Sequence, residues 1–213
     1  MYEKIANAAY KELSLNAQQK RSVDAICHSF FLYGDGDARK LAYIIATAKH
    51  ESNLTPIKEI KGKEGTPLWN IQKKYWDTGF YGRGFVQITW QKNYEKLGDV
   101  LGVNLVEFPD KALNTNIAAD IIVVGMVKGL FTGKKLLQYL NDDSDDMYHA
   151  RKTVGAINVL GMDTAARIEG FARKILADVD LTKPVDVIET DAPNIMAIVV
   201  VFSLFLYFLK RLL

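Results

Sequence analysis

The chain has 213 residues, of which 49% are hydrophobic and 24% charged, a composition typical of a folded protein and not of a disordered one. The formal net charge of +2 is too small to argue for nucleic-acid binding, and no Lys/Arg stripe dominates a face, so we expect no nucleic-acid partner. Cys27 is the single cysteine, which excludes internal disulfides and zinc sites built from several cysteines.

The first part of the chain predicts two helices. Apolar residues at helical spacing predict one helix over about residues 17–33, ended by Gly34. Asp37 can cap the next helix, which should end near Ser52 because Pro56 cannot continue it. The N-terminal residues form no continuous apolar segment, so we expect no cleavable secretory signal.

A loop and a short strand are predicted next. Residues 57–79 mix glycine, proline and lysine and predict a long irregular loop, which in a compact domain is usually functional. From Val86 to Trp90 apolar and polar residues alternate, which predicts a half-buried strand with Gln87 and Thr89 on one face. A polar row beside a glutamate from an upstream helix suits an enzyme that hydrolyses sugar polymers. An ordinary hairpin beside a solvated helix end is the alternative.

The remainder of the first 179 residues predicts further helices. Their approximate ranges are 94–101, 116–131, 145–155 and 163–178, the last of them capped by Asp163. We therefore predict a mainly α, two-lobed domain over residues 1–179, with a small β-hairpin and a groove between helices.

The C-terminal residues differ in composition from this domain. Residues 180–193 are rich in proline and acidic residues and predict a linker. Ile195 to Leu209 contains one polar residue, Ser203, and would span about 22 Å as a helix. Together with flanking basic residues that can reach the interface, residues 194–213 predict a transmembrane helix and contact with a lipid membrane. A buried core helix or a packed terminal hairpin is the alternative.

Glu51 is the candidate general acid. It lies in the last turn of the predicted second helix, where the backbone carbonyls carry partial negative charge. That environment, with the apolar neighbours Leu54 and Ile57, disfavours the carboxylate and favours the protonated form that a proton donor requires. A solvated glutamate at a helix end is the alternative.

Glu59 is the candidate general base. Pro56 interrupts the helix, so the chain can turn and place Glu59 across a cleft from Glu51. Inverting glycosidases separate their two carboxyl groups by roughly 6.5–9.5 Å and retaining ones by about 5 Å. An acid on a helix and a base on a loop suit the wider, inverting geometry. Glu64 is a rival for the base, and spacing leaves both open.

The sequence does not predict a metal site. The segment that begins at His50 is not a zinc-protease motif, because Leu54 occupies the place of the second histidine. The acidic run 141–146 lacks the glycine and the closing glutamate of a calcium loop. We expect neither a metal nor an organic cofactor.

Several motifs together resemble glycoside hydrolase family 19, which comprises chitinases and phage endolysins with a lysozyme-like fold. These motifs are Lys49-His50-Glu51-Ser52, Pro56-Ile57-Lys58-Glu59, Tyr81 to Trp90 followed by Asn93-Tyr94, Ala150-Arg151-Lys152, Ile157-Asn158, and Ala166 to Phe171. The resemblance covers roughly residues 35–178. Where the family often has two glycines after the asparagine, this chain has Val159 and Leu160, and its loop between Glu59 and Tyr81 is unusually rich in lysine.

The resemblance implies roles for the matching residues. Glu51 looks like the family's general acid and Glu59 like its general base, and Thr89 matches the hydroxyl residue that helps hold the attacking water. The residues that resemble those contacting the sugars, closing the groove or orienting the base are His50, Tyr81, Arg83, Gln87, Asn93, Asn158 and Arg167.

The expected activity is an inverting hydrolysis of β-1,4 bonds between N-acetylated sugars. Peptidoglycan strands are the expected substrate, because the expected lack of a secretory signal, the lack of a cysteine-rich chitin-binding module and the predicted membrane segment together resemble a phage enzyme for lysis or cell entry. The domain would then act on the periplasmic cell wall from a virion or host inner membrane. A chitinase, or a non-catalytic membrane-anchored sugar-binding or virion protein, is the alternative.

Overall fold

The architecture is mainly helical, as the sequence predicts. A computed structural model describes residues 1–159 and 162–179. The α-helices within these ranges are α1 (Tyr2–Glu12), α2 (Ala17–Tyr33), α3 (Ala38–Ser52), α4 (Pro67–Gln72), α5 (Gln91–Leu101), α6 (Thr115–Lys128), α7 (Met147–Ala150) and α8 (Thr164–Ala177). Antiparallel two-residue strands pair β1 (Ile57–Lys58) with β2 (Arg83–Gly84), β3 (Leu140–Asn141) with β4 (Ser144–Asp145), and β5 (Asn158–Val159) with β6 (Met162–Asp163).

Local capping explains where the two long N-terminal helices begin and end. Asn16 and Gln19 exchange hydrogen bonds of 3.0 Å at the start of α2, forming a capping box. Asp37 accepts a hydrogen bond of 2.9 Å from the backbone N–H of Arg39 at the start of α3. The predicted boundaries of both helices are therefore confirmed.

Two hydrophobic cores lie within the described residues. In the larger one, α2 packs against α6 and α3 packs against α8. Its fully buried members include Ile26, Phe30, Leu41, Ile44, Ile45, Ile122 and Ile168. The smaller core lies beside the β1–β2 pair and contains Ile88, Tyr94, Leu97, Leu105, Ala112 and Ile121. Burying α3 on nearly all sides makes it a rigid support for the residues at its C-terminal end.

The predicted strand from Val86 to Trp90 is wrong. Strand β2 ends at Gly84, and Arg83 forms an isolated antiparallel bridge with Ile88, so the chain turns back within a few residues. Gln87 and Trp90 have positive φ angles of 51° and 74°, which a regular strand does not allow. The alternation of residue types reflects this tight turn and not a pleated strand.

The segment 57–79 is also more ordered than an irregular loop. Besides β1 it contains α4 and a 3₁₀ turn at Trp76–Thr78. Thr66 caps α4 by accepting a hydrogen bond of 3.3 Å from the backbone N–H of Trp69, and Pro67 occupies the first helical position, where its missing N–H costs nothing. The predicted helix 145–155 is likewise divided into α7 and a 3₁₀ turn at Arg151–Thr153.

The described ranges, 1–159 and 162–179, include no helix that is both long and apolar enough to cross a membrane. The predicted linker 180–193 and transmembrane helix 194–213 lie outside the described residues. They therefore stay predictions.

Candidate active site

Glu51 is presented by the rigid end of α3. After Ser52 the chain leaves the helix through two left-handed residues, Asn53 and Leu54, with φ angles of 51° and 56°. Their backbone N–H groups donate hydrogen bonds of 3.1 Å to Lys49 and Ala48, and the Leu54 side chain is fully buried. The helix end is therefore closed by both hydrogen bonds and packing, which limits the movement of Glu51.

Glu51 is paired with a buried arginine that the sequence argument did not assign. Nη1 of Arg151 lies 2.6 Å from Oε1 of Glu51, and the two side chains are only 8% and 21% exposed. The contact is an ion pair without the angle of a directional hydrogen bond, and neither atom has another hydrogen-bond partner among the described residues. Nε of Arg151 donates a hydrogen bond of 3.1 Å to the carbonyl of Ala156, which orients the guanidinium.

Two charges therefore lie close to the Glu51 carboxyl group: the partial negative charge of the helix end and the positive guanidinium of Arg151. Sequence reasoning considered only the first of these charges, because nothing in the spacing of the residues places Arg151 against Glu51. Its membership in the motif Ala150-Arg151-Lys152 was the available signal.

Removing this cation gives a prediction. Breaking a largely buried ion pair leaves a carboxylate without its partner, so we expect Arg151→Met to lower the free energy of unfolding by about 2–3 kcal/mol in denaturant titrations. Adding Glu51→Gln should recover part of that loss, because no unpaired charge remains. The exposed neighbour Lys152 provides the control, and Lys152→Met should stay within about 0.5 kcal/mol of the wild type. A loss in Arg151→Met that is equally large with Glu51→Gln present would contradict the pairing.

His50 and Arg167 lie on the same side of the site as Glu51. Burial lowers the pKa of His50 below its ordinary value, Glu51 partly offsets this, and the positive charges of Arg151 and Arg167 lower the pKa further. The imidazole is therefore neutral at pH 7. Arg167 is exposed, and its Nη1 lies 3.7 Å from the sulfur of Met162. Arg167 is thus close enough to His50 to affect its pKa, and the role that the resemblance implied for Arg167, closing the groove or orienting the base, stays a prediction.

Glu59 is held by three hydrogen-bond donors. Its Oε1 accepts hydrogen bonds of 2.8 Å from the Tyr75 hydroxyl and 2.9 Å from Nε2 of Gln72, and its Oε2 accepts one of 2.8 Å from the backbone N–H of Gly82. The backbone N–H of Glu59 also donates to the carbonyl of Gly82 at 2.8 Å, which extends the β1–β2 pairing by one residue. The carboxylate therefore has a fixed orientation against the hairpin.

The two donors on Oε1 come from the segment around α4. The Gln72 side chain is fully buried and also donates to the carbonyl of Ile60 at 2.8 Å. Burial raises the pKa of Tyr75, and the neighbouring Glu59 raises it further, so the hydroxyl remains a proton-bearing donor at neutral pH. Sequence reasoning missed both residues, because it treated this segment as irregular. By contrast Glu64, the rival base, is exposed in the turn before α4.

Arg83 was predicted to contact the substrate, but the structure places it in the interior. It is buried, with 3% exposure. Its Nε contacts Asp110 at 2.6 Å, and its Nη1 donates to the carbonyl of Gly79 at 2.9 Å and to the Tyr94 hydroxyl at 3.0 Å. The ring of Tyr81 lies 4.1 Å from the guanidinium. Arg83 therefore ties together the loop that carries Gly82 instead of facing a groove.

The remaining predicted residues form a linked series along the turn. Nε2 of Gln87 donates to the carbonyls of Ile57 and Gly84 at 2.8 and 3.0 Å. The Thr89 hydroxyl donates to the carbonyl of Gln87 at 3.0 Å, and Nδ2 of Asn93 donates to the carbonyl of Thr89 at 2.7 Å. The structure thus brings Glu59, Gln87, Thr89 and Asn93 to one turn.

Tyr81 stacks on Trp76 beside the same turn, with ring centroids 4.4 Å apart and planes 15° from parallel. Asn158 lies in β5, and its side chain falls outside what the structure describes. Two pockets of about 490 and 520 Å³ lie along α5 and beside α2 and contain none of the predicted site residues. Within the described ranges, no group of three or more His, Cys, Asp or Glu residues is arranged to hold a metal ion.

Comparisons with known proteins show that the chain is similar to chitinases. Residues 63–126 match the family model of glycoside hydrolase family 19, described as chitinase class I. An endochitinase from Arabidopsis thaliana is 35% identical over 89 residues, which cover 40% of this chain and 31% of that protein. The chain therefore spans less than a third of the length of that curated relative.

The crystal structure of chitinase C from Streptomyces griseus superposes with a TM-score of 0.55 over 79% of this chain and 75% of that one. The chain has the family 19 chitinase fold. A chitinase C variant gives a TM-score of 0.50 over 84% of this chain and 94% of its own. At 18% and 19% sequence identity, these likenesses concern the fold alone.

The segment matched by the family model includes part of the candidate site. It contains the residues that hold Glu59 and the whole polar turn from Tyr81 to Asn93. Glu51 and Glu59 precede it in the chain. The predicted fold and family resemblance are thus supported, and the roles of the two carboxylates stay predictions.

Proposed function

We propose that the protein is a glycosidase that hydrolyses β-1,4 bonds between N-acetylated sugars by an inverting mechanism. This proposal rests on the observation that different groups hold the two carboxylates in place. Glu51 stands at the end of a buried helix against Arg151, and Glu59 is held by three donors against a polar turn. Two carboxyl groups in unlike environments are what division into an acid and a base requires.

In the proposed reaction Glu51 donates its proton to the leaving glycosidic oxygen while the bond to the anomeric carbon breaks. Glu59 accepts a proton from a water whose oxygen forms the new bond on the opposite face of the sugar. Glu59 is the proposed base because three donors hold it, whereas Glu64 is exposed.

Peptidoglycan is the proposed substrate, and chitin is the second candidate. The strands of peptidoglycan carry anionic peptides, and the exposed residues around α4 include the lysines Lys58, Lys61, Lys63, Lys73 and Lys74. The apolar run from Ile195 to Leu209 supports attachment to a membrane, as in a phage enzyme that acts on the periplasmic cell wall from a virion or host inner membrane. Chitin is favoured by the chitinases to which the chain is similar.

The test uses the full chain in mild detergent, incubated with purified sacculi and separately with chitin hexamers. Mass spectrometry identifies the products, and proton NMR follows the anomeric configuration of the first product formed. Muropeptides with new reducing ends in the α configuration are the expected result. Cleavage of chitin alone would reassign the substrate. Binding to either glycan without any product would instead support a non-catalytic sugar-binding protein.

A further inference from the structure

Three large aliphatic side chains are exposed to solvent on and beside α4. Ile60 is 84% exposed, Ile71 60% and Leu68 50%. Single exposed apolar residues are common at a protein surface, whereas a contiguous group of them marks a surface that another molecule covers. Whether these three side chains form such a group depends on how the chain before α4 packs against the helix.

The three residues belong to one surface because Gln72 ties the two segments together. Its amide donates a hydrogen bond of 2.8 Å to the carbonyl of Ile60 and accepts one of 2.5 Å from the backbone N–H of Gly62. A Cβ atom at Gly62 would lie 3.1 Å from Cγ of Leu68, so the chain after β1 runs directly along the helix. Leu68 and Ile71 are three positions apart on α4 and therefore share a face.

Lysines surround these aliphatic residues. Residues 60–74 contain four lysines and a single acidic residue, Glu64. The lysines are all exposed, and they are Lys61, Lys63, Lys73 and Lys74. None of the four forms an ion pair with a carboxylate in the described ranges, 1–159 and 162–179, so their charges are available to an anionic partner. We call these lysines, together with the three aliphatic residues, the α4 patch.

We propose that the α4 patch docks on an anionic lipid bilayer. Aliphatic side chains flanked by lysines are what an interfacial membrane-binding segment presents. The apolar groups enter the boundary between headgroups and acyl chains, and the ammonium groups meet the lipid phosphates. The inference concerns the folded domain and not the predicted transmembrane segment. It also stands apart from the proposed glycosidase function, because docking requires no hydrolysis.

Docking through the α4 patch would fix the orientation of the candidate site relative to the bilayer. Nε2 of Gln72 donates to Oε1 of Glu59 at 2.9 Å as well as to the carbonyl of Ile60. The side chain that holds the patch together is thus also one of the supports of Glu59. A docked domain would therefore present the Glu59 side of its site to glycan close to the membrane surface.

The tryptophans of the chain make the test direct. The three tryptophans are Trp69, Trp76 and Trp90, and residues 180–213 contain none. Insertion of the C-terminal segment alone would therefore not place a tryptophan in lipid. Trp69 belongs to α4, and its ring centroid lies 5.0 Å from Nζ of Lys61. Its fluorescence should therefore report contact between the α4 patch and lipid.

In the experiment the full chain is added from mild detergent to vesicles whose acyl chains carry bromine near the headgroups. Vesicles of phosphatidylglycerol and phosphatidylcholine should quench the tryptophan emission, whereas vesicles of phosphatidylcholine alone should not. Raising the salt concentration to about 0.5 M should reduce the quenching, because salt screens the attraction between the lysines and the lipid phosphates.

Ile60→Ser combined with Ile71→Ser tests the apolar part of the patch. We expect this double variant to weaken the docking equilibrium, taken from the quenched fraction, by about tenfold or more, because both side chains lose the apolar area that lipid would cover. Leu137→Ser is the matched control, since Leu137 is 57% exposed in a different segment and also follows two exposed lysines. It should dock like the wild type.

Lys63→Gln combined with Lys74→Gln tests the charged part. We expect a loss of about tenfold in the docking equilibrium, since each lysine near an anionic surface contributes to the attraction. The matched control is Lys134→Gln combined with Lys135→Gln, which removes two exposed lysines from another segment and should dock like the wild type. Thermal unfolding identifies a variant that fails to fold, and the other double variant then decides.

Four results would overturn the inference. The first is the absence of quenching by anionic vesicles, and the second is equal quenching by phosphatidylcholine alone. The third is unchanged quenching in the folded double variants. The fourth is a change in tryptophan emission on adding soluble anionic muropeptides without any quenching by vesicles, which would reassign the patch to the substrate. The glycan-cleavage assay is separate from all four, so failure of this inference is distinguishable from failure of the proposed function.

Discussion

Glu51→Gln is expected to reduce kcat on the cleaved glycan by about 10³-fold or more. The amide keeps the shape of the side chain and can still face Arg151, but it has no proton of suitable acidity to give to the leaving oxygen. Steady-state kinetics with mass-spectrometric detection of products measures the loss. Because the binding surface is unchanged, the variant should still bind the glycan in a sedimentation assay.

The control for this experiment is Glu95→Gln, since Glu95 is exposed on α5 and its Oε1 accepts a hydrogen bond of 2.8 Å from the neighbouring Gln91. That variant should retain the wild-type kcat. Turnover near the wild-type level in Glu51→Gln would remove Glu51 from the role of acid. The ion pair with Arg151 would then be only a structural feature of the helix end.

Glu59→Gln is expected to cause a loss of similar size, about 10³-fold in kcat, because the amide cannot accept a proton from water at neutral pH. Its NH₂ group would also face one or more of the donors Tyr75, Gln72 and Gly82, so we expect a cost in stability of about 1–3 kcal/mol. Activity should therefore be measured well below the thermal transition of the variant.

Glu64→Gln is the matched experiment for the base, because Glu64 lies in the same segment and differs from Glu59 mainly in its surroundings. We expect its kcat to stay within about twofold of the wild type. The reverse result, with Glu64→Gln inactive and Glu59→Gln active, would reassign the base to Glu64. The hydrogen bonds to Glu59 would then serve the hairpin alone.

The sequence predictions were accurate where the interactions join residues close together in the chain and wrong where they join distant ones. Helix α2 was predicted from the spacing of its apolar residues and the stop at Gly34, and α3 from its cap Asp37, which acts on a residue two positions away. The turn after β2 was misread as a strand because its shape depends on contacts distant in sequence. Gln87 Nε2 bonds to Ile57 O, thirty residues away, and Arg83 bonds to Asp110, twenty-seven residues away.

The candidate site shows the same division. Short motifs were sufficient to nominate Glu51, Glu59, Thr89 and Gln87, because those residue types follow one another in a recognisable order. The motifs did not reveal the partners of Glu51 and Glu59. Arg151 is one hundred residues from Glu51, and Tyr75, which donates to Glu59, lies sixteen residues beyond it, after α4.

The sequence by itself therefore determined the helical class, the positions of the main helix ends, the family resemblance and the candidate carboxylates Glu51, Glu59 and Glu64. These follow from periodicity, capping and order along the chain, which are local properties. Only the tertiary structure decided that Arg83 lies inside the protein, that Arg151 faces Glu51, and that Tyr75, Gln72 and the backbone of Gly82 donate to Glu59. Those properties depend on which distant segments pack together, and packing is set by the whole core and not by any one segment of it.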